Sequence, residues 1–73
     1  MKSNHDFGAF IREIRLGKNI SLRESARRME ISAAYLSMLE VNKDGSLPSD
    51  ELLLKMSKLY ELPLTKLKKA LSE

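Results

Sequence analysis

The residues able to do covalent or metal chemistry in this chain are few and scattered. There is one histidine, His5, near the amino-terminal end, and there is no cysteine. A metal site needs several converging donors, so His5 reads as a solvated terminal side chain. No glycine-rich loop is present to cradle a phosphate, and nothing in the sequence assembles a nucleophile with a base. The scattered serines fall where helices need N-caps. Neither an enzyme nor a bound cofactor or metal is expected. What remains is electrostatic chemistry. The chain carries 13 Lys and Arg against 10 Asp and Glu, a net charge of +3. Residues 1–30 hold seven basic side chains against four acidic ones, and the rest of the chain holds six of each. Any footprint for an anionic partner therefore lies in the first half.

The elements that must position those cations begin with the stretch SLRESARRMEISAAYLSMLE, residues 21–40. Ser21 precedes Leu22 and Ser32 precedes Ala33, and a serine there satisfies the orphan N–H groups of a helix start. Leu22, Ala26 and Met29 recur at helical spacing after the first cap, and Leu36 and Leu39 after the second, with Ile31 in the turn between. Two short helices joined by a tight turn follow. Upstream, Asp6 is a cap for a first helix carrying Phe7, Phe10, Ile11 and Ile14, with Gly17 marking its end. Downstream, VNKDGSLPSD is a loop, because Gly45 and Pro48 rule out a continuous helix. Ser49 caps a fourth helix whose first turn holds Asp50 and Glu51, which suits the positive helix N-terminus. Leu53, Met56 and either Leu59 or Tyr60 face inward. Pro63 suits the first turn of a fifth helix, about 63–72, with Leu64, Leu67 and Leu71 along one face.

The expected fold is all-α, a compact five-helix bundle in a single domain, 1–73, with no repeat, low-complexity tract or linker. A chain this short buries a modest core, so dimerisation or ligand binding would add needed stability. The lack of cysteine suits a reducing cytoplasm. No apolar run approaches the roughly 18 residues of a membrane span, and the start lacks the apolar segment of a secretory signal. Cytoplasmic residence is the expectation.

Taken together, FGAFIREIR, SLRESARRM, ISAAYLSMLE and LPSDELLLKMSKLYEL, in this order and spacing, resemble the Xre or Cro-like helix-turn-helix family of phage repressors and small bacterial transcriptional regulators. The resemblance covers nearly the whole chain. It implies a DNA-binding helix-turn-helix at about 21–41, whose third helix enters the major groove while the second lies across the backbone. It implies that Ala26 is the small residue allowing the second and third helices to approach. It also implies a structural ion pair between Arg15 and Glu40, which fixes how the third helix sits.

The chain departs from the family pattern in three ways. Glu30 stands where the turn usually has glycine, so either the turn is strained, by about 1 kcal/mol for a non-glycine residue at positive φ, or its geometry differs. Ser25 replaces a larger aliphatic side chain, so either the seam is looser or the hydroxyl bonds back to the helix backbone. The base-facing positions hold Ala33, Ala34 and Met38, none able to make a bidentate hydrogen-bonded contact, although alanine and methionine can touch thymine methyl groups. Tyr35 and Ser37 remain as polar base-facing candidates. Ser21, Arg23, Asn42 and Lys43 are the candidate phosphate contacts, with Asn42 equally suited to capping the third helix.

The function implied is a sequence-specific transcriptional regulator, a repressor acting as a homodimer on a palindromic operator in a bacterial or phage-infected cell. Leu64 and Leu71 are the candidate dimer interface, whereas Leu67 reads as core. A protein antirepressor or toxin is a further candidate partner. The alternative is a protein-interaction module of the same fold that uses the apolar third helix, Ala33, Ala34, Tyr35 and Met38, as a docking surface.

Overall fold

A computed structural model describes residues 4–41 and 47–72. Among these the backbone forms five helices and no strand: α1 (Asn4–Gly17), α2 (Leu22–Arg28), α3 (Ala33–Val41), α4 (Asp50–Tyr60) and α5 (Leu64–Ser72). The all-α bundle expected from sequence is therefore the fold observed.

Serines start three of these helices. Ser21 Oγ accepts from the Glu24 N–H at 3.0 Å, Ser32 Oγ from the Tyr35 N–H at 3.0 Å, and Ser49 Oγ from the Leu52 N–H at 3.2 Å. Each hydroxyl satisfies a donor that has no carbonyl partner within its own helix. Two starts differ from expectation. Helix α1 begins at Asn4, so Asp6 falls within its first turn and not at the position before it. Pro63 stands just ahead of α5, and its carbonyl accepts from the Lys66 N–H at 3.0 Å, so the helix is entered through a tighter turn.

Three helix ends share one device, built without glycine. Asn19, Glu30 and Glu61 have φ of 59°, 62° and 57°. In each case the next residue, Ile20, Ile31 or Leu62, donates its N–H back to a carbonyl five residues earlier, on Arg15, Ala26 or Ser57, at 3.0–3.2 Å. That is the Schellman closure, and its apolar residue folds back onto the helix it has just left. Of the two alternatives at Glu30, the positive φ is the one observed. Gly17 is the last residue of α1, but the left-handed position falls two residues later, at Asn19.

The core collects Phe7 and Ile11 from α1, Ala26 and Met29 from the second helix and its end, Leu36 and Leu39 from α3, Leu52, Leu53, Met56 and Tyr60 from α4, and Leu67 from α5. Tyr60, not Leu59, is the fully buried residue of that pair. Leu64 and Leu71 are half-buried and pack on this core, so part of their apolar surface is already covered within the chain. Helix α1 lies so close to α3 that a Cβ on Gly8 would fall on the carbonyl oxygens of Leu39 and Glu40. Glycine is required there for close approach, not for a special φ.

Candidate nucleic-acid interface

The site is built on α3, and two buried polar contacts hold the elements around it. Arg15, late in α1, presents Nε to Glu40 Oε2 at 2.7 Å and Nη2 to Glu40 Oε1 at 2.9 Å. Its Nη1 donates to the Ile20 carbonyl at 2.9 Å. The two side chains are only 8% and 5% exposed. This forked geometry satisfies both carboxylate oxygens, the arrangement for which a guanidinium is shaped. The hydrogen bond to Glu40 raises the Arg15 pKa above its already high ordinary value, against the opposing effect of burial. The pair ties the last turn of α3 to α1 and to the turn that leads into α2.

The second contact joins Ser25 of α2 to Tyr60 of α4, hydroxyl to hydroxyl, at 2.6 Å. Ser25 is fully buried. The hydroxyl is spent on a phenol 35 residues away and not on the helix backbone, and both residues are fully buried. Burial pushes the Tyr60 pKa up, with the Ser25 hydrogen bond acting in the opposite direction.

Held this way, α3 exposes Ala34, Met38 and Val41, the last two at 48% and 51%. Tyr35 and Ser37 flank that stripe half-buried, and Ala33 is half-buried against the core. Val41 is absent from the sequence-based set, although it follows Met38 by three residues on the face that Met38 shares with Ala34, four residues before it.

The cations divide into paired and unpaired. Arg27 and Arg28 both bond Glu24, through Arg27 Nε at 3.1 Å and Arg28 Nε at 2.6 Å. These contacts, that of Arg27 first, hold the Glu24 carboxyl at about 2. Lys18 pairs with Glu61 at 3.2 Å and Lys55 with Glu30 at 3.0 Å. Arg23 is exposed at the start of α2 and meets no carboxylate among the described residues. Ser21, beside it, is exposed with its Oγ engaged as the cap. Arg12 was not singled out in the sequence. It is exposed, has no carboxylate partner among the described residues, and lines an open groove of about 460 Å³ with Arg15, Leu22, Ser37, Glu40 and Val41. Its position three residues before Arg15, on the same side of α1, was the available signal. Asn42 and Lys43 lie outside the described residues, as does the His5 side chain. Among the described residues no group of three or more His, Cys, Asp or Glu could hold a metal ion, and no helix is long and apolar enough to cross a membrane.

Comparison with known proteins agrees with this geometry. A helix-turn-helix family model matches residues 11–67. The crystal structure of the clp gene regulator ClgR from Corynebacterium glutamicum is similar with a TM-score of 0.79 and 28% identity, over 92% of this chain and 69% of that one. The N-terminal DNA-binding domain of SinR from Bacillus subtilis is similar with a TM-score of 0.77 and 31% identity, over 88% of this chain and 91% of that one. SinR, the master regulator for biofilm formation, in complex with DNA gives a TM-score of 0.75 and 29% identity, over 85% and 97%. No curated protein matches the chain significantly in sequence. With its matched residues spanning α2, the turn and α3, the chain belongs to the Xre/Cro-like helix-turn-helix family of DNA-binding transcriptional regulators.

Proposed function

We propose that this regulator acts as a repressor, binding a palindromic operator as a homodimer with α3 in the major groove. The observation that carries the reading is the combination of an outward-facing α3, held by the Arg15–Glu40 pair, with two arginines on neighbouring helices, Arg12 and Arg23, that meet no carboxylate among the described residues. A duplex groove offers what this surface lacks, phosphates for the cations and base edges for the helix. Ser21, Arg23, Asn42 and Lys43 act as backbone contacts, joined by Arg12, and Ala33, Ala34, Tyr35, Ser37 and Met38 face the bases. That SinR has been seen on DNA supports this arrangement by similarity.

Homodimerisation follows from reach, since one recognition helix covers too few base pairs for useful specificity. The half-buried Leu64 and Leu71 of α5 are the surface assigned to it. Selection of sites from a random duplex library at near-physiological salt tests the whole reading. The expected product is a two-fold symmetric motif with half-sites about 34 Å apart. A motif without symmetry would remove the homodimer. Absence of any enriched site, with salt-insensitive binding to a protein partner instead, would replace this function by that of a docking module.

A further inference from the structure

We infer that the stripe Ala34, Met38 and Val41 reads its operator through thymine 5-methyl groups, with Arg12 seated on a phosphate beside it. This rests on the DNA-binding reading above and specifies the chemistry of the sequence it selects.

At 3.6 residues per turn, positions 34, 38 and 41 fall within an arc of about 60° on the helix surface, forming one continuous apolar strip. Met38 and Val41 are each about half exposed, and Ala34 is exposed as well. No asparagine, glutamine, lysine or arginine occurs in α3. Its charged residue, Glu40, is turned inward and consumed by Arg15. The forks that read guanine or adenine are therefore missing from the helix, and thymine is the base that presents an apolar group in the major groove.

The charge beside the strip selects the kind of partner. Arg12, with no carboxylate partner among the described residues, shares its groove with Ser37 and Val41. An apolar strip bordered by an unpaired guanidinium is complementary to a methyl-bearing groove edge bordered by phosphate. Tyr35 and Ser37, half-buried at the flanks, offer one hydroxyl each, enough to orient a contact but not to make a bidentate one.

The test replaces thymine by uracil, which lacks only the methyl, one position at a time in a site recovered from the random library. Each methyl that meets the strip is expected to be worth about fourfold in Kd, the equivalent of one buried methylene-sized group. Met38→Ser should abolish the uracil effect at one position per half-site while leaving the others. Because Met38 is exposed, that variant keeps its fold, which circular dichroism and urea unfolding verify. Arg12→Gln should weaken thymine and uracil sites equally and make the slope of log Kobs against log salt shallower by about one. A fully uracil-substituted site bound as tightly as the original overturns the inference. If 7-deazaguanine then weakens binding, readout passes through the hydroxyls of Tyr35 and Ser37. If only A-tract shape is enriched, readout is indirect. Either result leaves the DNA-binding reading standing, whereas failure to enrich any site removes both.

Discussion

Glu40→Gln should destabilise this protein severely, while a substitution that also removes its partner should not. The magnitude follows from geometry. Arg15 and Glu40 are 8% and 5% exposed, so solvent screens them little, and two charge-assisted hydrogen bonds vanish or weaken when the carboxylate is neutralised. Breaking one side of such a pair leaves the other charge buried and costs about 3–5 kcal/mol. A folded chain of this length has a total stability of only about 4–11 kcal/mol. With an m-value of about 1 kcal/mol/M in urea, Glu40→Gln should lower the midpoint by about 3 M. Arg15→Met should cost about as much. The double variant Arg15→Met/Glu40→Leu removes both charges and should recover most of the loss. It should remain about 1 kcal/mol below the parent, because the Ile20 carbonyl has lost its Nη1 donor. Urea unfolding of the four proteins, arranged as a double-mutant cycle, gives the coupling directly. A single-variant loss below about 1 kcal/mol, or a double variant as unstable as the two singles summed, would refute the treatment of this pair as desolvated and mutually dependent.

Other perturbations follow from the same structure. Gly8→Ala should destabilise by about 1–3 kcal/mol, since the new methyl meets the Leu39 and Glu40 carbonyls and forces α1 from α3; a thermal midpoint unchanged from the parent would show that the two helices are not in that contact. Glu30→Gly should stabilise by about 1 kcal/mol by relieving the positive φ, even though the exposed Lys55 pair is lost with it. Chemical denaturation measures this, and a loss of stability would mean that the left-handed position carries no strain. Ser25→Ala should cost about 1–3 kcal/mol by leaving the Tyr60 hydroxyl buried without its partner, with Tyr60→Phe in the same chain restoring part of that loss. Because the folded-state pKa of Tyr60 is raised, unfolding releases a proton once the pH passes the ordinary tyrosine value of 10.0. Stability contributed by this group is complete below that pH and falls as pH climbs toward the raised value, so Tyr60→Phe should flatten that part of the pH profile of urea midpoints.

The helices were legible because their signals are local. A serine followed by an apolar period identifies a cap and a buried face together, and Ser21, Ser32 and Ser49 each occupy the expected position. The forked contact of Arg15 with Glu40 was approachable only through family resemblance, since 25 residues separate the pair and no periodicity links them. Ser25 illustrates what local reading misses. Its polarity suggested a looser seam or a backbone bond, but its partner comes from α4, and a hydroxyl pair formed by two distant helices leaves no pattern in either one. The helix ends were obscured for a different reason: glycine is the usual marker of a left-handed residue, and here Asn19, Glu30 and Glu61 fill that role. Gly8 carries no local signal, because the need for a missing side chain is set by the backbone of another element. Arg12 and Val41 were within reach, one by its spacing from Arg15 and the other by continuing the stripe of Ala34 and Met38.

The clamping of α3 also bears on the thermodynamics of association. Its first turn is capped by Ser32, and its last turn is fixed by the Arg15 fork and by the close passage of Gly8. Helix α3 is thus ordered within the free chain, and on the proposed reading no entropy of helix formation would be charged to an encounter with a duplex. Systems that fold as they bind show large heat-capacity changes, because whole segments leave water together. Here the change attributable to α3 should be small and negative, in proportion to the apolar strip that it buries. Titration calorimetry across a range of temperatures would then measure the area of that strip directly.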